Sequence, residues 1–238
     1  MQYKRILLKL SGESLMGEDG YGISYPAVNH YATEIQSAIR QGVQVGVVIG
    51  GGNIFRGVNG MHKGFDRRQG DYMGMLATVI NAMAVQEVLE AAGTKVKVLS
   101  SLEIEGVCEK IFYKNAIQYL EDGKVVIFAG GTGNPFFTTD SGAALRAVEI
   151  KADLLLKGTR VDGVYSDDPE KNSNAVKYET LTYAEAYEKR LHIMDMTAFT
   201  ICQDNNMPLY VYDAQVNGNL LRVLNGEKIG TLCSNVQF

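Results

Sequence analysis

The chain has no tryptophan, and only three cysteines, three histidines and four prolines among 238 residues. Cys108, Cys202 and Cys233 form no Cys-x-x-Cys pair, so a disulfide framework or thiol-redox motif is excluded and the thiols read as reduced and structural. His30, His62 and His192 lack neighbours at metal-ligand spacing. A zinc centre, or any metal held by direct protein ligands, is therefore not expected. No Pro/Ser-rich linker or low-complexity tract interrupts the chain. No window approaches the roughly 20 apolar residues of a bilayer span, and the apolar stretch at the start is broken by Lys9. That stretch does not read as a signal peptide, so a cytoplasmic location and no membrane partner are expected. Positive charge is not in excess either. The formal net charge is −4, which argues against a surface for a nucleic acid polymer. A small anionic ligand needs only local positive potential and stays open.

What the chain does have is alternation. Apolar strand-like runs at 6–10, 43–49, 96–99, 124–128, 153–157 and 209–212 alternate with helix-period segments at 25–41, 71–92, 140–151 and 195–206. A helix near 218–224 leads to a short C-terminal strand. In the 71–92 helix, Met73, Leu76, Ile80, Met83 and Val88 are expected to form the buried stripe. Thr182 and Glu185 have the spacing of a capping box and should open another helix. Such alternation predicts an α/β fold with a largely parallel central sheet covered on both faces. The expected organisation is one domain over 1–238, with two lobes on one sheet and a soft boundary near residue 150.

Ligands of open α/β sheets bind beyond the carboxyl ends of the strands. Four segments in such positions carry chemistry. Lys9-Leu10-Ser11-Gly12 ends the first strand with a full charge and a turn of small residues, which can aim N–H groups at phosphate. An ordinary strand-end turn is the plainer reading. Gly50-Gly51-Gly52 follows the second strand, and three glycines are entropically costly unless something approaches the backbone closely. Arg56 lies just beyond and could clamp a phosphate. Thr132-Gly133-Asn134-Pro135-Phe136-Phe137-Thr138-Thr139-Asp140 offers close approach, hydroxyls, an amide and two rings that could wall a base. Core packing is at least as good a reading for one of those rings. The last segment, 157–169, contains Thr159, Tyr165 and Asp168, suited to stacking on a base and accepting from an amino or ribose hydroxyl group. Alone, it would read as a polar surface hairpin.

No Gly-x-x-x-x-Gly-Lys-Ser/Thr is present, so this is no P-loop enzyme. The glycine loops fail the dinucleotide fingerprint, because Phe55 and Phe136 stand at its third glycine. No protein-kinase catalytic loop and no Gly-x-Ser-x-Gly elbow occurs.

The four segments, in this order, resemble the amino acid kinase superfamily, and within it the bacterial uridylate kinases. The resemblance runs from residue 3 nearly to the C-terminus and is carried by 9–13, 47–57, 70–78, 131–140 and 161–164. It implies a three-layer αβα sandwich, phosphoryl transfer from ATP to UMP in pyrimidine nucleotide biosynthesis, and Mg²⁺ accompanying ATP. It also implies a homohexamer activated by GTP and inhibited by UTP. By position, Lys9, Leu10, Ser11, Gly12, Gly52, Arg56, Thr159, Tyr165 and Asp168 fall on the ATP side. Gly51, Asp71 and Thr132 through Thr139 fall on the UMP side. Gly17, Glu18, Asp19, Gly20, Tyr21 and Gly22 match the region linked to GTP. Gly130 stands where the family pattern has Ala, and so does Gly142. A second lysine opposite Lys9 is not fixed by the pattern: Lys157 is a candidate, and so is replacement of its role by Arg56. Lys9, Arg56 and Asp140 are the expected catalytic groups, with Asp140 pairing Lys9 and Asp195 a further organiser. Two other readings stay open: a superfamily phosphotransferase acting on carbamate or an amino-acid carboxylate, and a non-catalytic uridine-nucleotide sensor.

Overall fold

The structure, a computed structural model, describes residues 2–55, 66–191 and 193–236. Arg56, His62 and His192 therefore lie outside the described residues. The strands are β1 (Arg5–Leu10), β2 (Gln44–Ile49), β3 (Val96–Ser100), β4 (Glu109–Lys110), β5 (Val125–Ala129), β6 (Leu154–Thr159), β7 (Val164–Tyr165), β8 (Lys177–Tyr178), β9 (Thr180–Thr182), β10 (Leu209–Asp213) and β11 (Thr231–Ser234). The helices are α1 (Tyr25–Arg40), α2 (Arg67–Ala91), α3 (Tyr113–Glu121), α4 (Thr139–Glu149), α5 (Tyr183–Glu188), α6 (Met196–Asp204) and α7 (Asn219–Leu224).

Among the described residues, nine strands form one sheet in the order β4-β3-β5-β2-β1-β6-β10-β11-β9, and β7 pairs with β8 in a separate hairpin. β10 and β11 are antiparallel, and the other pairs of the large sheet are parallel. Alternation along β1 divides the core. Ile6, Leu8 and Leu10 face a cluster with residues of α1, α2 and α7. Leu7 faces the other cluster, with residues of α3, α4, α5 and α6. This is the three-layer αβα sandwich. A period of two puts Lys9 on the Leu7 face, toward α4 and α6. The chain leaves β1 toward β2 on one side and later returns to β6 on the other. The carboxyl end of β1 is thus a topological switch point, where such sheets form their ligand crevice.

Several sequence expectations need correction. α2 begins at Arg67, capped by the Asp66 carboxylate accepting from Arg68 N–H. Of the expected stripe Val88 is buried, but the rest of the buried face is made by other residues. Leu76, Ile80 and Met83 are exposed, while Met75, Ala77, Thr78, Val79, Asn81, Ala82, Val85, Val88 and Leu89 face inward. The inward face thus mixes small and polar residues with Met75, Val79, Val85, Val88 and Leu89. α2 is also long and apolar enough to cross a bilayer, which no stretch was expected to be, yet half of its most apolar window is buried inside the protein. α3, β4 and β9 were not expected, and the β7–β8 hairpin reaches beyond the 157–169 segment whose plainer reading was a polar surface hairpin. Phe136 and Phe137 are 59% and 49% exposed, so neither packs in the core.

Candidate active site

Lys9 and Lys157 are register partners on adjacent parallel strands, so their side chains leave the sheet on the same face. Both meet Asp140 in the first turn of α4. Lys9 Nζ is 2.5 Å from Asp140 Oδ1, and Lys157 Nζ is 2.9 Å from Oδ2. Lys157 also donates to the Ile193 carbonyl at 2.5 Å. Burial pushes the Asp140 carboxyl up, but the two ammonium groups outweigh it and hold it below the ordinary carboxylate range. Burial, helped by the charge on Lys9, pulls the Lys157 ammonium below the ordinary lysine value against the attraction of Asp140. Lys9 and Lys157 bring two ammonium groups to the crevice floor, set against Asp140 and the nearby Asp195, and a low dielectric strengthens their action on an anion placed beside them.

The α4 N-terminus is built by Thr138, whose hydroxyl accepts from the N–H groups of Asp140 and Ser141. Asp195 braces it from the start of α6, accepting from the hydroxyls of Thr138 and Ser141 and from Ala198 N–H.

The triple-glycine turn stands beside this floor. A Cβ on Gly12 would come within 2.5 Å of the Gly50 carbonyl, and one on Gly51 within 2.6 Å of the Gly74 carbonyl, so both contacts require glycine. Among the described residues, the N–H groups of Gly12, Gly51 and Gly52 have no intramolecular acceptor. Free backbone N–H groups at a strand-end turn are suited to an anion. Asn53 closes the turn against the Gly17–Gly22 segment: Asn53 Nδ2 donates to the Gly22 carbonyl at 2.8 Å, and Gly22 N–H to the Asn53 carbonyl at 3.0 Å.

The loop of Thr132 to Thr139 lies across from the turn. The Asp71 carboxylate accepts from Phe136 N–H at 2.7 Å, so it serves the shape of this loop. The Arg67 guanidinium lies 5.3 Å from the Phe136 ring centre. Phe136 has φ of 73°, a left-handed backbone that a bulky residue rarely adopts. Thr132 and Asn134 hydrogen-bond each other. On the far side, a cavity of about 500 Å³ is lined by Lys157, Thr159, Tyr165, Asp168, Lys189 and Arg190. The Tyr165 hydroxyl donates to Asp162 at 2.6 Å, which lifts its pKa to about 12. Asp168 is held by Lys171 at 2.8 Å.

The structure thus gathers Lys9, Ser11, Gly12, Gly51, Gly52 and Asp140 near the switch point, with the loop of Thr132 to Thr139 and the cavity lined by Thr159, Tyr165 and Asp168 as neighbouring features. The sequence did not point to Thr78, Asn81, Lys189 or Arg190. Thr78 lies in a quoted motif and Asn81 is an amide inside an apolar helix, which was the available signal. Lys189 and Arg190 carry none.

The amino acid kinase family model matches residues 4–213. This chain belongs to the amino acid kinase family. A curated relative from Parabacteroides distasonis named uridylate kinase is 56% identical over 234 residues, covering 98% of this chain and 99% of the relative. One from Porphyromonas gingivalis with the same name is 57% identical over 233 residues, covering 98% of each. The crystal structure of UMP kinase from Bacillus anthracis superposes with a TM-score of 0.96 at 36% identity, covering 100% of this chain and 98% of that one.

Proposed function

We propose that the chain is a uridylate kinase, transferring the γ-phosphoryl group of ATP to UMP to give ADP and UDP. The observation that carries this reading is the convergence of two strand-paired lysines on Asp140, together with glycine N–H groups at the neighbouring strand end that have no acceptor among the described residues. Relatives named uridylate kinase at 56% and 57% identity support the choice of acceptor.

An oxygen of the UMP phosphate attacks the γ-phosphorus, a new P–O bond forms, and the bond to the bridging oxygen of ADP breaks. The nucleophile is already an anion, so no general base is needed. The transition state is loose, and catalysis is positioning and charge stabilisation. Lys9 and Lys157 face the charge building on the transferred group, and the N–H groups of Gly12, Gly51 and Gly52 hold its oxygens. Asp140 positions both lysines. ATP lies over the C-terminal lobe, about 151–238, with its adenosine near Thr159, Tyr165 and Asp168. UMP lies over the N-terminal lobe, about 1–150, against the loop of Thr132 to Thr139 shaped by Asp71. Arg56, assigned by resemblance to a phosphate clamp, lies outside the described residues.

A nucleotide-associated divalent metal belongs to kinase chemistry, and Mg²⁺ is the ion proposed here. Asp140 is already engaged by two lysines and Asp195 by two hydroxyls and an N–H group. No cluster of three acidic, histidine or cysteine side chains occurs among the described residues. This donor set fits an ion carried by the phosphate oxygens and water of the nucleotide. Bound there, it would neutralise negative charge on the phosphates of the nucleotide.

The proposal extends to a cytoplasmic enzyme of pyrimidine nucleotide biosynthesis, supplying the route from UMP toward CTP. It is a homohexamer activated by GTP at the Gly17–Gly22 region and inhibited by UTP.

The test is a coupled assay with ATP and Mg²⁺ against UMP, CMP, dTMP, carbamate and N-acetylglutamate. UMP is expected to be the preferred acceptor. Preference for carbamate or N-acetylglutamate identifies a different phosphotransferase of the family, and uridylate binding without turnover identifies a sensor. Lys9→Met is expected to lower turnover by about a hundredfold or more while leaving UMP affinity nearly unchanged. Near-wild-type turnover in that variant overturns the role of Lys9.

A further inference from the structure

In-line transfer requires two loops, the triple-glycine turn and the acceptor loop, to stand at a fixed separation. Both are tied to the buried face of α2. Thr78 and Asn81 are 4% and 0% exposed and sit three residues apart, hence side by side on the helix. Thr78 Oγ1 accepts from Gly130 N–H at 2.8 Å, at the root of the acceptor loop, and donates to the Met75 carbonyl at 2.6 Å. Asn81 Nδ2 donates to the Gly50 carbonyl and to Asn53 Oδ1, each at 2.7 Å. Its Oδ1 accepts from Asn53 Nδ2 at 2.9 Å.

Packing alone does not call for these residues. An amide or hydroxyl inside a helix–sheet interface costs desolvation unless it is fully bonded, and alanine or valine would fill the space. What the polar groups add is direction. The Gly50 carbonyl and the Gly51 N–H belong to one planar trans peptide unit. Fixing the carbonyl on Asn81 therefore fixes where the Gly51 N–H points, and that N–H has no acceptor among the described residues. The root of the acceptor loop is fixed in the same way by Thr78.

We infer that Asn81 and Thr78 are positioning residues, Asn81 aiming the phosphate-facing Gly51 N–H and Thr78 anchoring the acceptor loop, so that one helix sets the distance between donor and acceptor. This rests on the phosphotransferase reading above.

Steady-state kinetics and nucleotide binding by calorimetry test it on the whole chain, with Val85→Ala on the same buried face as the purely structural comparison. Thr78→Val is expected to raise KM for UMP by about fivefold or more with KM for ATP nearly unchanged, and Thr78→Ser to restore it. Asn81→Asp keeps an acceptor for Asn53 but loses both donors. It is expected to lower kcat by about tenfold or more with KM for ATP nearly unchanged. Val85→Ala is expected to lose stability without either split. The inference is overturned if Thr78→Val and Asn81→Asp keep wild-type constants, or if they shift all constants together as Val85→Ala does. Should Asn81→Asp fail to fold, the Thr78→Val and Thr78→Ser pair decides. A wild-type chain that turns over another acceptor, with the same split between acceptor and ATP, sinks the uridylate reading and leaves the positioning roles standing.

Discussion

At the scale of single residues, the site depends on keeping two ammonium groups and one carboxylate together out of water. The side chains of Lys9, Asp140 and Lys157 are only 11%, 15% and 17% exposed. Removing the carboxylate leaves two buried like charges, and breaking a buried pair in this way costs about 3–5 kcal/mol. Asp140→Asn is therefore expected to lower the urea midpoint sharply and to abolish turnover; an unchanged midpoint would show that the cluster is hydrated. Acid weakens the same cluster. Because the Asp140 carboxyl is held below its ordinary value of 3.8, its stabilisation is present above that value and is lost as pH falls through the folded-state value. Lys157 behaves in the opposite sense. Its folded-state value lies below 10.5, so the unfolded chain keeps this proton to higher pH and stability rises as pH climbs between the two values. Turnover should fall over that window as the charge is lost. The prediction is an alkaline limb in kcat that begins below 10.5, and Lys157→Arg should move it upward, since guanidinium does not titrate there. A limb that stays in place in Lys157→Arg would assign it to another group. Phe136 gives a third test. A left-handed φ on a non-glycine residue stores about 1 kcal/mol or more. Phe136→Gly should raise Tm while raising KM for UMP, separating the strain from the proposed contact of the ring with UMP.

At the scale of elements, what could be read from the sequence follows how local each signal is. The Thr182–Glu185 capping box is present as expected, with both reciprocal bonds made. Thr182→Ala should cost about 1 kcal/mol by denaturation. The strands around the switch point were legible because parallel strands buried on both faces read as apolar runs. Lys9 stood out because it interrupts one of them. α3 was not legible. Tyr113, Ala116, Ile117 and Leu120 do stand at helical spacing, but over only nine residues, and no N-cap side chain marks the start. The phase of α2 was misread for a physical reason: large apolar side chains stand on both of its faces, and the buried one also carries small and polar residues that a search for apolar period passes over. The same misreading hid Thr78 and Asn81, because an amide among apolar residues looks like noise until its partners 28 and 31 residues away are seen. The convergence of Lys157 on Asp140 was likewise out of reach of spacing. It depends on the β1–β6 register, which joins residues 148 positions apart.

At the scale of the whole molecule, the unexpected phase of α2 has a further use. Its buried face holds the roots of both ligand loops, and its outer face presents Tyr72, Leu76, Ile80 and Met83 at 39–48% exposure. Their spacing of four, four and three residues places them along one side of the helix. A row of large apolar side chains on a helix is a common form of an interface between copies. The proposed homohexamer supplies the occupant: a second copy of this chain laid against the same stripe. Leu76→Asp with Ile80→Asp should then shift the particle seen by analytical ultracentrifugation from hexamer toward smaller species. A wild-type chain that sediments as a monomer, or a double variant that keeps the wild-type size, would remove this stripe from the assembly. Because α2 also aims the Gly51 N–H and anchors the acceptor loop, loss of assembly should be accompanied by loss of turnover. Measuring both across a dilution series distinguishes an interface that shapes the site from one that only holds subunits together: in the first case specific activity falls with particle size, and in the second it stays level.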